Sequence, residues 1–247
     1  MDRLFFDIET SPNVVFTWNI GYDLQIDYNS IIQERAIICI CWKWHGKDKV
    51  YSLKWDKGND KEMVKKFFKI ITKADEVIGH NGDRFDIKWF KTRAIYHGIK
   101  DMPQFKSIDT LKIARGQFKF NSNKLDYIAK YLGLGEKIKT EYNLWKDIVQ
   151  KNSTKSMSKM VRYCAEDVRL LEKVYEKLEG YSKVKTHMGV VLSDKPGIKA
   201  KESKYDCPRC ASKDTVRYKN RISAAGNITT QRHCNNCGKY YETPFEK

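Results

Sequence analysis

The sequence predicts an α/β chain: a mixed sheet flanked by helices, followed by a small cysteine-bearing module. Three observations carry that expectation. Apolar runs crowd the first 55 residues, strand and helix patterns alternate from there to Leu178, and two Cys-x-x-Cys pairs bracket a hairpin pattern near the C-terminus. Strands first, then alternating β and α, suit helices packed on a sheet. The 247 residues suffice for one substantial domain and an appendage. These are predicted at 1–180 and 205–247, with a connector at 181–204 that holds Gly189, Pro196, Gly197 and scattered lysines.

Leu4–Glu9 is an apolar-rich run suited to a buried strand. Val14–Ile20 reads as a second strand, and Ala36–Trp44 as a third that continues into Val50–Trp55. Strands this close together imply hairpins or a meander. Lys61–Thr72 follows as a helix with Met63, Val64, Phe67, Phe68 and Ile71 on one face. Glu76–His80 is a short strand, and a helix runs from about Arg84 to Tyr96, where Gly98 can end it. Further helices are predicted at Thr110–Arg115, Lys124–Leu132 and Ser156–Leu178.

Net charge is +16, which favours a polyanionic partner, nucleic acid before an anionic membrane. From Gly180 onward 14 basic residues face 6 acidic ones, so the C-terminal part is the more densely basic. No uninterrupted apolar run reaches the roughly 18 residues of a membrane span. Met1-Asp2-Arg3 leads directly into an apolar strand, which predicts neither a signal nor a transit peptide. Seven cysteines cannot all pair, and reduced thiols in a cytoplasmic setting are the expectation.

Asp7 and Glu9 stand at i and i+2 of a strand, so they share a face, while Phe6 and Ile8 take the other. At about 4 Å and an effective dielectric of 20, two like charges repel by roughly 4 kcal/mol. A cation relieves that cost; an exposed sheet edge is the plainer explanation. Asp86 closes Asn81-Gly-Asp-Arg-Phe-Asp86 in the first turn of a helix, where acids are common for dipole reasons alone. Asp83 in that segment reads as a cap. Tyr163 and Asp167 are i and i+4 on one helix face, a spacing that an ordinary amphipathic helix also produces.

Taken in order, Asp7-x-Glu9, Asn81-x-x-x-Phe85-Asp86 and Tyr163-x-x-x-Asp167 resemble the DEDD exonuclease superfamily, which has a ribonuclease H-like fold. The resemblance is to its tyrosine-bearing subgroup, since Arg162 stands where the other subgroup has histidine. That subgroup includes the proofreading domains of family B DNA polymerases. Asp7–Asn13, Lys106–Leu111, Ser122–Tyr127 and Leu132–Gly135 further resemble the stand-alone exonucleases of tailed bacteriophages. The resemblance implies 3′→5′ hydrolysis in which Asp7, Glu9, Asp86 and Asp167 hold two Mg²⁺ or Mn²⁺ ions and Tyr163 orients the attacking water. Thr10, Asn81 and Phe85 would contact the 3′ nucleotide, although Phe85 also suits a core and Asn81 a helix start. His80 reads as structural. Trp42, Trp44, Trp89 and Trp145 could stack on bases or lie buried. DNA ranks ahead of RNA as substrate, with a separate polymerase or replication protein as partner and, for a phage protein, the host cytoplasm as its location. Trimming of RNA and a catalytically silent binding or scaffold role stand as alternatives, the latter disfavoured by the intact set of acids.

Cys207-Pro-Arg-Cys210 and Cys234-Asn-Asn-Cys237 flank two predicted strands, Thr215–Ser223 and Ile228–His233, joined by a turn at Ala224–Asn227. Two such knuckles about a hairpin describe a zinc ribbon with one structural Zn²⁺. A redox pair or disulfides would leave the duplication unexplained. His233 adjoins a ligand but is not needed as one. The basic surplus suits contact with nucleic acid or docking to a replication protein.

Overall fold

The computed structural model describes residues 2–21, 23–138, 140–182, 205–222 and 227–245. Its elements run β1 (Arg3–Thr10), β2 (Val14–Val15), β3 (Ile31–Gln33), β4 (Ile37–Trp44), β5 (Tyr51–Lys54), α1 (Lys61–Ile71), β6 (Glu76–Gly79), α2 (Asp86–Tyr96) and β7 (Lys106–Asp109). There follow α3 (Thr110–Gln117), α4 (Leu125–Tyr131), α5 (Asn143–Lys151), α6 (Thr154–Ser182), β8 (Thr215–Ile222), β9 (Ile228–Cys234) and β10 (Tyr240–Pro244).

Alternation along β1 sets the layers of the first unit, Met1–Ser182. Phe6 faces α1, its ring 5.5 Å from that of Phe67, and Phe5 faces α6, 5.3 Å from Tyr175. The odd-numbered face that carries Asp7 and Glu9 is therefore the α6 face. The sheet order is β5-β4-β1-β6-β7. β5, β4 and β1 pair antiparallel, and β6 and β7 continue parallel to β1, as the predicted mixed sheet with flanking helices requires. α1 buries Met63, Val64, Phe67 and Ile71, with Phe68 half-buried. α6 is 29 residues long and lies along β1 and β4. Its buried Glu172 is fixed by Lys43 of β4 and by the Gly46 amide at 3.1 Å.

Buried Asp60, just before α1, ties the opposite layer together. It accepts from Arg93 Nε at 2.7 Å, from Arg93 Nη2 at 2.8 Å and from the Ile37 amide at 3.0 Å, and pairs with His97 at 2.6 Å. Burial alone would raise its pKa; Arg93, the Ile37 amide and His97 outweigh that and lower it.

Several expectations are corrected. The strand expected over Val14–Ile20 shrinks to Val14–Val15, because β3 offers partners only to those two residues. Beyond them Phe16, Trp18 and Ile20 are exposed, Trp18 fully so. Asp83 does not cap α2; its carboxylate takes the Ser107 hydroxyl and Lys112 instead. α2 starts at Asp86 rather than Arg84. Trp42 is buried against Phe67 and Tyr51, while Trp44, Trp89 and Trp145 are half-buried. The exposed tryptophan is Trp18. β3, β7, α5 and β10 have no counterpart among the expected elements.

In the second unit, Lys183–Lys247, β8, β9 and β10 form an antiparallel sheet in the order β10-β9-β8. Residues 183–204 of the expected connector and 223–226 of the expected turn lie outside the described residues. Among the described residues no helix is long and apolar enough to cross a membrane.

Candidate active site

β1 sits at the centre of the sheet, and β6 pairs with it only through Arg3–Phe5. Beyond that point the Ile8 amide is met by Asp86 Oδ1 at 2.9 Å. A tight turn after β6 delivers Asp86 there. A Cβ at Gly79 would lie 2.9 Å from Gly82 Cα, so the turn closes only over glycine. Asn81 adopts a left-handed φ of 67°, and its amide is held by Asp109 Oδ1 at 2.8 Å. His80 bridges Thr110 and the Asn123 carbonyl through its two ring nitrogens, in keeping with a structural role.

From the other side, α6 brings Tyr163, Cys164 and Asp167 over β1. Cys164 Sγ lies 3.4 Å from the Asp7 carbonyl oxygen and 3.5 Å from Asp7 Oδ2. Asp7, Glu9 and Asp167 each place a carboxylate oxygen within 4.8 Å of the others. Asp86 lies outside that trio but close enough to Asp7 to disfavour its charge.

Crowding and burial act together on these acids. Burial, then Asp86, Glu9 and Asp167, pushes Asp7 well above the carboxylate range. Burial first and Asp167 second raise Glu9 to about 8, and burial raises Asp86 to about 7 against the pull of the Ile8 amide. Burial also raises Asp167, partly offset by Lys137. Tyr163 rises to about 12 through burial and the nearby Asp167.

Lys137 is the residue that sequence reasoning missed. Its Nζ is 2.6 Å from Asp167 Oδ2 and lies 5.2 Å from the centroid of the Tyr163 ring. Burial opposes its charge, but Asp167, Tyr163 and Asp7 outweigh that and raise its pKa. It sits in a loop after α4, where no periodicity marks a functional lysine; its amide bonds Asp126 Oδ1 at 2.9 Å. The other Asp167 oxygen, Oδ1, is buried without a hydrogen-bond partner among the described residues. One lysine against four acids leaves excess negative charge and an orphaned acceptor, the environment that a hard divalent cation satisfies.

The residues expected at the 3′ end are placed as follows. The Thr10 hydroxyl is buried and accepts from Arg35 Nη2 at 2.8 Å. Asn81 is half-buried, and its carbonyl takes the Arg84 and Phe85 amides. Phe85 is half-buried and stands outside the core cluster.

The four ribbon cysteines form the second cluster. Their sulfurs lie within 4.8 Å of one another, with Cys207–Cys237 and Cys210–Cys234 each at 3.6 Å and no disulfide. A tetrahedron with Zn–S of about 2.3 Å has edges of about 3.8 Å. The Arg209 amide points at Cys207 Sγ and Asn236 Nδ2 at Cys210 Sγ, as donors to thiolates would.

A mixed five-stranded sheet whose central strand carries two of the clustered acids has the ribonuclease H-like form, which suggests a nuclease. The chain belongs to the RNase_H superfamily, whose profile matches residues 4–179. Nucleases of this fold generally use divalent metals and act on nucleic acid. The chain is 38% identical over 64 residues to a DNA polymerase of Methanocaldococcus jannaschii, covering 26% of this chain and 4% of that protein. It is 34% identical over 99 residues to a DNA polymerase of Desulfurococcus sp. (strain Tok), covering 39% of this chain and 12% of that protein. The likeness thus spans a small part of either polymerase.

The raised acid pKa values carry a prediction for the metal-free protein. A carboxyl whose folded pKa lies above its ordinary value contributes stability that is fully present below the ordinary value and lost as pH rises through the folded one. For Glu9 that window runs from 4.5 to about 8. Glu9→Gln is therefore expected to raise the thermal midpoint at pH 8 in magnesium- and manganese-free buffer. The gain is roughly 2–4 °C for each kcal/mol recovered, and it vanishes near pH 4. A midpoint at pH 8 below that of the parent would contradict the crowding argument.

Proposed function

We propose that the protein is a metal-dependent 3′→5′ exonuclease of the DEDD tyrosine subgroup, removing nucleotides from DNA 3′ ends. The observation that carries this reading is the meeting of Asp7, Glu9 and Asp167 within 4.8 Å beside Asp86, with Tyr163 one helical turn before Asp167. The motif order supports the 3′→5′ direction, and the polymerase segments it resembles support DNA.

Asp7, Glu9, Asp86 and Asp167 would hold two Mg²⁺ or Mn²⁺ ions, which when bound supply an acidified water and offset charge on the departing 3′ oxygen. The chain's own contribution is positioning. Tyr163, with its pKa raised to about 12, keeps its proton at neutral pH and orients the water rather than deprotonating it. Lys137 works against the burial that disfavours charge on Asp167 and would place a positive charge beside the reacting phosphate. Asn81 and Phe85, on the turn before Asp86, would hold the terminal nucleotide, with Thr10 supporting β1 beside them. Water adds at the terminal phosphorus and the bond to the penultimate 3′ oxygen breaks. A nucleoside 5′-monophosphate and a strand one residue shorter are released. Cys207, Cys210, Cys234 and Cys237 would hold one structural Zn²⁺.

The reading fits proofreading or end-processing beside a separate polymerase in phage replication, in the host cytoplasm where Cys39, Cys41 and Cys164 stay reduced. It is tested with 5′-labelled DNA and RNA oligonucleotides, single- and double-stranded, in Mg²⁺ or Mn²⁺. A ladder descending from the full-length DNA is expected; internal fragments alone would indicate an endonuclease. Tyr163→Phe should lower kcat by roughly tenfold to a hundredfold, at or below the lower end of what a lost general base costs. KM and the shape of the pH profile should hold. A profile that loses its basic limb would make Tyr163 the base.

A further inference from the structure

The ribbon sheet has two unlike faces. From Thr229 to Cys234 of β9 burial alternates: Thr230, Arg232 and Cys234 point inward, and Thr229, Gln231 and His233 outward. His233 pairs with both Tyr240 and Val216, so those residues share its outward face. The β8–β9 register slips between Arg217 and Lys219, which makes Tyr218 the extra residue of a bulge in β8. Such a bulge re-aims a side chain. The Tyr218 ring meets that of Tyr240 edge-on at 5.2 Å, and the Tyr240 ring lies 4.5 Å from His233. Tyr218 and Tyr240 remain 47% and 48% exposed, so ring surface is open to solvent on a sheet face.

Charge decides what such a face accepts. Lys219 Nζ stands 5.4 Å from the Tyr218 ring centroid, and Lys219 and Arg221 pair with Gln231 and Thr229 on the outward face. The acid on this face, Glu242, is engaged by Arg221 at 3.3 Å and by the Thr229 hydroxyl at 3.1 Å. Among the described residues of this unit, seven basic side chains stand against three acidic ones. Exposed aromatics interleaved with basic side chains suit unpaired bases, whose faces stack on rings while the phosphates meet cations. A protein partner with an apolar patch would find these cations unfavourable to bury.

We infer that Tyr218, His233 and Tyr240, with Lys219 beside them, form a stacking platform for single-stranded DNA. The inference rests on nucleic acid being the substrate class and not on the carboxylate chemistry. Carried on one chain with a nuclease unit, the platform raises the local concentration of strand available to that unit.

The test uses the full chain bearing Asp7→Ala, so that the probe is not consumed, and reads the anisotropy of a labelled oligothymidylate. Adding Tyr218→Ala and Tyr240→Ala should weaken binding by roughly tenfold to a hundredfold. Tyr218→Phe with Tyr240→Phe should restore it. The salt slope should persist in the alanine form, and in Lys219→Ala it should fall by about 0.7 for each phosphate no longer neutralised. Zinc per chain, assayed after thiol release, must match the parent. Affinity within twofold of the parent with zinc retained overturns the platform and leaves the face to a protein partner. If the double alanine form loses zinc, Tyr218→Leu alone at the bulge is read against the same two outcomes. Failure of the exonuclease reading looks different: the wild-type chain would bind the strand through these tyrosines yet cleave no dinucleotide in Mg²⁺ or Mn²⁺.

Discussion

Asp7→Ala is expected to lower kcat/KM on a single-stranded DNA oligonucleotide by roughly a thousandfold or more, the several kcal/mol that a lost metal-holding charge represents. Asp7 is chosen because it lies at the centre of the cluster: Asp86, Glu9 and Asp167 all act on its charge, and Lys137 acts against them. Its carboxylate also approaches Cys164 Sγ at 3.5 Å, a neutral contact too weak to stabilise a buried charge. The same crowding predicts that the variant folds. Removing a buried carboxylate from among like charges relieves repulsion, so the metal-free melting midpoint should not fall. Loss of activity with an unchanged or raised midpoint separates a chemical role from a structural one. Asp7→Asn, which keeps the volume, should match Asp7→Ala in activity. A ladder from Asp7→Ala at a tenth or more of the parental rate in clean magnesium buffer would remove Asp7 from the centre of the mechanism.

How far this site was legible depends on whether local geometry or distant contact places each residue. Asp7 and Glu9 follow from strand alternation, and Tyr163 with Asp167 from helical spacing, because each pair lies within one element. Their meeting is a matter of topology. Phe5 and Tyr175 bury the face that sets α6 over the odd side of β1, a contact across 170 residues. Lys137 was hidden for the same reason: nothing in Leu134-Gly-Glu-Lys137 says that the loop after α4 returns to Asp167. Val14–Ile20 misled because alternation without a partner strand does not make a sheet; antiparallel β3 begins only at Ile31, after a helical turn at Tyr28–Ser30, and Phe16, Trp18 and Ile20 are left in solvent. Asp83 misled because a cap competes with other donors, and Ser107 and Lys112 won. β10 was missed because Tyr240–Pro244 is short and ends in proline, tolerable on an edge strand.

Cys234→Ser is expected to abolish the ordered structure of the ribbon, and the composition of its interior says why. The apolar core of the first unit runs from Leu4 to Leu178. The described ribbon buries no aliphatic or aromatic side chain; its buried set is Cys207, Cys234, Thr215, Thr230, Arg232 and Thr243. Arg232 donates from Nε to the Thr215 hydroxyl at 3.2 Å and from Nη2 to the Thr215 carbonyl at 3.1 Å, and the Thr243 hydroxyl donates to the Thr230 carbonyl at 3.2 Å. Hydrogen bonds of this kind contribute about 1 kcal/mol each net, because water offers the same partners to the unfolded chain. Three strands held in that way cannot offset the roughly 1–2 kcal/mol per residue of backbone ordering. Zinc bound by four thiolates contributes about 10–16 kcal/mol in domains of this size, enough to change the sign of the balance. Cys234 is fully buried at the end of β9, and its Sγ is 3.6 Å from that of Cys210, so serine there leaves three thiolates and a poor fourth ligand. The measurement is amide exchange with zinc stoichiometry: β8–β10 should lose protection as zinc falls from one per chain to none, while β1 and β6 keep theirs. Protected β9 amides in a zinc-free chain would show that the polar interior suffices, and the role of the metal would have to be sought elsewhere.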